Sequence, residues 1–284
     1  MRSLLLLLLL LACAPDLGAP RRTGRSAAEV RVATWNVHDL FDSDDRLVPP
    51  GELDSVPAPA EVEAKLDALA AVLERIDADV VVLQEVENAA LLARLAARAG
   101  YPEARLVEGY DPRGIDVAAL SRLPVERYVS HLGEVDAWGR PLWPRDCVEL
   151  HVRTPGRPVV VVASHLSSAL SDDGTRRALQ AGRLREIADG LRAARPTALV
   201  LAGGDLNDRP ASAALAPLLE DGAWIDPAPP GVVTWTGASG TARLDYLLLP
   251  REERGALSGI GIAAGADVAA ASDHRPVVVD VSLE

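Results

Sequence analysis

Four carboxylates, two amides and two imidazoles stand at the borders of apolar runs, where side chains that do chemistry are commonly held. Asn36 follows Arg31-Val32-Ala33-Thr34-Trp35, Glu85 follows Val80 to Gln84, His165 follows Val159 to Ser164, and Asp205 and Asn207 follow Leu199 to Gly204. Asp245 opens the run Tyr246 to Leu249, and Asp273-His274 precede Arg275-Pro276-Val277-Val278-Val279. In antiparallel or mixed sheets, the ends of some strands and the beginnings of others meet on one rim, so these side chains are expected together. Gathering Glu85, Asp205, Asp245 and Asp273 there sets like charges against one another and strips water from each. A hard divalent cation relieves both costs. Oxygen donors without a Cys/His cluster point to Mg²⁺, with Mn²⁺ or Ca²⁺ as alternatives, rather than to zinc. Asp245 is available to orient His274 through one ring nitrogen, leaving the other to take a proton from water as a general base. Singly, each residue has a duller reading: Asn36 or Asn207 as a turn cap, Asp205 as a helix cap, Glu85 as a loop start. Their joint placement favours the chemical one.

The apolar runs that must position these residues are short and rich in valine and leucine: Val30 to Ala33, Val80 to Leu83, Val159 to Ala163, Leu199 to Leu201, Leu247 to Leu249 and Val277 to Val279. They read as strands buried on both faces. Between them, Val62, Leu66, Leu69, Leu73 and Ile76 fall at helical spacing within Glu61 to Ile76, and a second amphipathic stretch spans Thr175 to Ala194. A third helix is predicted from an Asn88 N-cap to Ala99, stopping before Gly100. The acidic, Pro-rich stretch from Asp39 to Pro59 reads as a loop. Strands and helices without a regular β-α-β alternation predict two packed sheets with helices outside them.

Composition narrows the class. The 284 residues are 49% hydrophobic, 25% charged and 4% aromatic, which excludes disordered and fibrous chains. A net charge of -12 excludes a histone-like partner held by neutralising phosphates, and two cysteines exclude a disulfide framework or a thiolate zinc site. Arg2 precedes a leucine run from Leu4 to Leu11, far short of the ~20 residues of a spanning helix, so residues 1–13 are expected to be an export signal. Leu10-Leu11-Ala12-Cys13 resembles a bacterial lipobox, which makes Cys13 a lipidation site and the protein a lipid-anchored one; an ordinary signal cut near Ala14 or Ala19 is the alternative. Residues 14–28 form a tether and 29–284 one domain, expected as a monomer. Cys147 reads as a buried thiol.

Taken in order, Thr34-Trp35-Asn36, Gln84-Glu85, Gly114 to Arg122, Ser164-His165, Gly204-Asp205-Leu206-Asn207-Asp208, Arg243-Leu244-Asp245-Tyr246 and Ser272-Asp273-His274-Arg275-Pro276 resemble the endonuclease/exonuclease/phosphatase superfamily, of DNase-I-like fold. The resemblance spans nearly the whole chain after the tether. It implies a four-layered α/β sandwich, two mixed β-sheets flanked by helices, and metal-dependent hydrolysis of a phosphate ester. Carried over by position, Asn36, Glu85 and Asp273 become the metal-binding group. Asp205 and Asn207 orient water and the scissile phosphate, and His274 with Asp245 forms the base and its orienter. A histidine at position 165 is similar to secreted DNases, sphingomyelinases and many phosphatases rather than to abasic-site repair enzymes. His165 is then expected to protonate the leaving group, oriented by Glu108, and Arg145 to touch substrate phosphate. Ser167-Ser168 stands where many relatives carry a lysine-serine pair. No role falls to His38, His131 or His151. An exported nuclease, the first expectation, needs a groove lined by Arg113, Arg140, Arg145 and Arg243. A phosphatase or sphingomyelinase-like lipid hydrolase instead needs an apolar entry carrying Trp138, Leu142 and Trp143. A catalytically silent binding scaffold is the third reading.

Overall fold

Valine-rich runs become strands here because both of their faces are covered, one by a second sheet and the other by helices. The computed structural model describes residues 28–44, 55–169 and 174–284. The expected signal peptide, Cys13 and the tether up to residue 27 lie outside the described residues, as do residues 45–54 of the acidic loop. In chain order the elements are β1 (Glu29–Leu40), α1 (Pro59–Ile76), β2 (Val80–Val86), α2 (Ala89–Ala99), β3 (Glu103–Leu106), β4 (Asp116–Ser121), β5 (Val125–Ser130), β6 (Cys147–Val152) and β7 (Val159–His165). There follow α3 (Thr175–Ala194), β8 (Leu199–Asp205), α4 (Ala216–Leu219), β9 (Trp224–Ile225), β10 (Trp235–Gly237), β11 (Gly240–Ala242), β12 (Asp245–Pro250), β13 (Leu257–Ile262), α5 (Ala266–Ala271) and β14 (Val277–Ser282).

Two six-stranded mixed sheets result, ordered β13-β14-β1-β2-β4-β3 and β5-β6-β7-β8-β12-β9, with β10 and β11 as a small separate hairpin. Each large sheet has a parallel pair at its middle, β1–β2 and β7–β8, flanked by antiparallel neighbours. The strand period of two sorts the side chains. Val80 and Val82 point into the interior between the sheets with Val159, Val161, Leu199 and Leu201. Val81 and Leu83 face outward under Leu66, Leu69 and Leu73 of α1, and Val160, Val162 and Val200 under Leu184, Ile187 and Ala188 of α3. Each fully buried leucine contributes about 1.5–3 kcal/mol. The four layers are those the resemblance implied.

α1 and α3 cover the predicted stretches, and α2 begins at Asn88, whose Oδ1 accepts the Leu91 N–H at 2.9 Å, and ends on Gly100 at φ +71°. Cys147 is buried, as expected. Among the described residues, no helix is long and apolar enough to cross a membrane. One expectation changes. Asn36 and Glu85 do not terminate their strands, since β1 continues to Leu40 and β2 to Val86. The β1–β2 register shifts between Asn36 and Leu40, and the β2–β4 register between Gln84 and Val86, so Glu85 drops out of both ladders at φ +66°. A bulge of this kind re-aims a side chain.

Candidate active site

One rim of the second sheet assembles itself from register. β7 and β8 run parallel with His165 opposite Asp205, and β12 runs antiparallel to β8 with Asp245 opposite Asp205. The close fit of these strands depends on Gly203 and Gly204. A Cβ on Gly203 would lie 1.9 Å from the Tyr246 carbonyl oxygen, and one on Gly204 2.0 Å from that of Ser164. The first sheet supplies the facing residues. The Asn36 amide donates to Glu85 Oε1 at 3.0 Å and to Asp205 Oδ2 at 2.9 Å, bridging the two sheets. The turn carrying Asp273 and His274 is clamped to β1: Trp35 Nε1 donates to the His274 carbonyl, and Ser272 Oγ donates to the Asn36 carbonyl while accepting the His274 N–H.

His274 Nδ1 lies 2.9 Å from Asp245 Oδ2, and its Nε2 faces Asp205 Oδ2 at 3.9 Å. His165 Nε2 lies 3.5 Å from the same Asp205 oxygen and 3.9 Å from Glu85. Arg145 NH1 sits 3.1 and 3.2 Å from the two ring nitrogens of His165, and its NH2 donates to the Leu166 carbonyl. Asn207 donates its backbone N–H to Asp205 Oδ1 and its amide to the Leu166 carbonyl. Asp273 accepts from Trp235 Nε1 at 2.9 Å. The metal-binding, catalytic and phosphate-contacting residues expected from sequence within the described chain thus reach one place. Glu85, Arg145, His165, Asp205, Asn207, Asp273 and His274 line a cleft of about 1230 Å³, with Asn36 and Asp245 tied directly to its walls.

Burial sets the charges. Asp205, wholly enclosed and beside Asp245, is pushed up to about 7. Burial would pull the His274 imidazolium down, but Asp245 and Asp205 carry it up to about 10. Burial and the Arg145 guanidinium hold His165 well below the usual range. Burial pushes Glu85 up, yet hydrogen bonds from Asn36 and Asp39 and the nearby Arg113 hold it below the ordinary value. Asp39, desolvated and next to Glu85, rises to about 6.

Two residues that sequence reasoning passed over join the site. His38 Nδ1 lies 3.1 Å from Asp273, and the Asp39 backbone N–H donates to Glu85 Oε2 at 3.0 Å. Both have positive φ, as do Glu85 and Asn207; backbone strain of this kind collects at functional sites. The available signal was the acidic stretch directly after Asn36, read only as a loop. Other expectations are corrected. Glu108 is solvent-exposed and His165 contacts Arg145, Glu85 and Asp205 instead. Arg243 is committed to Asp226 at 2.7 Å and lies over the Tyr246 ring, outside the cleft; Arg113, Arg140, Arg145 and Arg176 line it. Leu142 and Trp143 are buried, so Trp138, at 68% exposure, is the exposed member of that trio. His131 and His151 bracket Glu149 away from the cleft.

The donor set suits a hard cation. Asp39 Oδ1 is cut off from solvent with no hydrogen-bond partner, near Glu85, and oxygen donors dominate this wall. Deeper in, Asp205, Asp245 and His274 each offer a ligand atom within 4.8 Å of the others.

A profile of the Endonuclease/Exonuclease/phosphatase family matches residues 33–274. The chain belongs to this family. The family is divalent-metal dependent, and the buried Asp-Asp-His group could bind a metal. A search of curated proteins gives no match. Among solved structures, a family protein from Beutenbergia cavernae is 26% identical over 90% of this chain and 72% of its own, with a TM-score of 0.63. Truncated TDP2 from Caenorhabditis elegans is 19% identical over 89% of this chain and 98% of its own, with a TM-score of 0.62. Sphingomyelinase C from Streptomyces griseocarneus is 20% identical over 89% and 99%, with a TM-score of 0.57. The family fold is that of a hydrolase acting on phosphoric esters.

Proposed function

We propose that the chain is a Mg²⁺- or Mn²⁺-dependent phosphodiesterase that cleaves nucleic acid. The observation that carries this reading is the cleft itself: in a chain of net charge -12, its polar floor is flanked by Arg113, Arg140, Arg145 and Arg176. Glu85 and Asp273, with Asn36 and the unforeseen Asp39, would hold the cation, which when bound compensates phosphate charge and makes water more acidic. The protein groups do the rest. Asp205, pushed up to about 7, takes the proton of the attacking water near neutrality. His274, kept charged by Asp245 and Asp205, directs its Nε2 proton toward the phosphate oxygens, where negative charge accumulates. This reverses the roles expected from sequence, in which the His274–Asp245 pair was the base. Arg145 meets the phosphate on the His165 side, and Asn207, pinned by Leu166, fixes the phosphate's orientation.

A lipid substrate is the second reading, favoured by the exposure of Trp138. Export and lipid anchoring through Cys13 rest on the leucine run and Leu10-Leu11-Ala12-Cys13; Cys13→Ser is expected to abolish labelling by a radioactive fatty acid. The purified full chain is expected to nick supercoiled plasmid with Mg²⁺ or Mn²⁺, not with EDTA, and not as the Asp205→Ala, His274→Ala double variant. Turnover of an aryl phosphodiester or of sphingomyelin without nicking would overturn the nucleic-acid reading.

A further inference from the structure

Beside Asp273 the cleft gives way to a second, smaller cavity of about 420 Å³ that shares His38 and Asp273 with it. Its other polar walls are cationic or neutral: Lys65 from α1, Arg275 from the turn before β14, and the exposed Thr236. Lys65 is held in place, its Nζ donating to the His38 carbonyl at 2.9 Å and the Ala271 carbonyl at 2.7 Å. An ammonium has three donors, so one N–H remains for the cavity. Among the described residues, the half-buried Arg275 guanidinium has no carboxylate within ion-pair distance, in contrast to Arg75 nearby, which pairs with Asp267. Asp273 is the lone carboxylate among the lining residues. Lys65 is offset by the fields of Asp39, Asp273 and Glu85, which leaves Arg275 as the cation of this cavity for an oxyanion to pair with.

We infer that this cavity is a second phosphate subsite, which receives the phosphodiester group adjacent to the scissile one in a polynucleotide. The inference rests on the nucleic-acid reading above and deepens it. Arg113 and Arg176 stand on the cleft wall and Lys65 and Arg275 in the cavity beyond Asp273, so cationic groups flank the catalytic residues from both directions. A ligand that satisfies both carries more than one phosphate and passes through the site. A phosphocholine lipid carries one phosphate and ends in a quaternary ammonium, which Lys65 and Arg275 would repel. Free inorganic phosphate shares the oxyanion chemistry and is separated from a chain phosphate by the test.

The experiment compares kcat and KM of the full-length wild type and Arg275→Gln on a dinucleotide, which has one phosphodiester, on a trinucleotide and decanucleotide, and on bis(p-nitrophenyl) phosphate. For the wild type, kcat/KM is expected to climb about tenfold once a second phosphate is present, the size of one good ionic contact. Arg275→Gln is expected to erase that climb through a 5- to 20-fold higher KM, on the order of one lost phosphate contact, and to lower the slope of log affinity against log salt by about 1. The dinucleotide and the aryl diester should be unaffected. Lys65→Gln should act alike and Lys65→Arg restore the gain, which loss of a merely structural tether would not reproduce. A climb that survives in Arg275→Gln, or an equal loss on every substrate, overturns the subsite. So does weakened inhibition by inorganic phosphate with the chain-length gain intact, which would assign the cavity to the free ion. A wild type that hydrolyses the aryl diester but no oligonucleotide of any length overturns the nucleic-acid reading itself, a result distinct from the others.

Discussion

Asp205 touches more of the site than any other side chain: Asn36 holds one of its oxygens, the Asn207 backbone the other, and both His165 and His274 approach it. Its carboxylate is also enclosed beside Asp245, which raises it to about 7. Asp205→Asn keeps the shape and removes the charge, so kcat is expected to fall by about 10²–10⁴ with KM little changed. A parallel case lies off the cleft. Asp116, also buried, is raised to about 7 while accepting the Gly109 N–H at 2.8 Å. A carboxyl raised on folding weakens the fold once it ionises; the penalty is absent below about pH 4 and complete above about pH 7. Asp116→Asn, which keeps an acceptor for Gly109, is therefore expected to be more stable by on the order of 1–3 kcal/mol at pH 8 and equal at pH 4, read by urea denaturation at the two pH values. The sequence revealed these site residues through one simple signal, a rare polar type beside an apolar run. It was silent on His38 and Asp39, which reach the site only because β1 continues past Asn36 through a register shift. It also misdirected Glu108 and Arg243, whose partners are decided by loops that no periodicity describes.

At the level of elements, the site depends on three strands brought unusually close. Gly204→Ala would set a Cβ 2.0 Å from the Ser164 carbonyl on a residue at φ +114°. The expected outcome is separation of β7 from β8, loss of activity by more than 10²-fold and a stability loss of about 3 kcal/mol or more, checked by kinetics beside thermal melting. A second junction ties the loop before β6 to α3. Arg183 donates to both oxygens of Glu134, which also accepts from Trp143 and contacts His131. Burial opposes ionisation of Glu134, but Arg183, Trp143 and His131 outweigh it and lower the group to about 2. A depressed carboxyl stabilises above its unfolded value near 4.5 and loses that contribution as pH falls toward 2. Glu134→Gln is expected to cost about 1 kcal/mol at pH 7, since the group is partly solvated, with the gap to wild type closing below pH 4.5. Where strands are valine-rich or helices amphipathic, the elements were readable from composition and spacing. β5, reading Val-Glu-Arg-Tyr-Val-Ser at a sheet edge, and β13, with two glycines, carry no such signature; neighbouring strands recruit them.

For the whole molecule, the two sheets meet at the site, and Asn36 spans them by contacting Glu85 and Asp205. A cation that binds only the docked state stabilises it by mass action, about 2.7 kcal/mol at a hundred times its dissociation constant. EDTA is accordingly expected to lower the melting temperature of the wild type, and to do so far less in the Glu85→Gln, Asp273→Asn double variant; an unchanged wild-type melt would contradict a cation held by these carboxylates where the layers meet. The architecture was foreseeable in outline because its interior strands are buried on both faces, while the way the layers slot together was not, since it is written in register rather than in composition.

The sheet order β13-β14-β1 means that the strand synthesised after every other member of its sheet occupies an inner place, between neighbours that already await it. Until Val277 to Ser282 arrive, β1 presents an open hydrogen-bonding edge, and the turn bearing Asp273 and His274 lacks the strand that continues from it. A form of the chain that lacks the residues from Val277 on is expected to leave β1 unpaired on this side and the Asp273–His274 turn without the strand that follows it, and so to lack the assembled site.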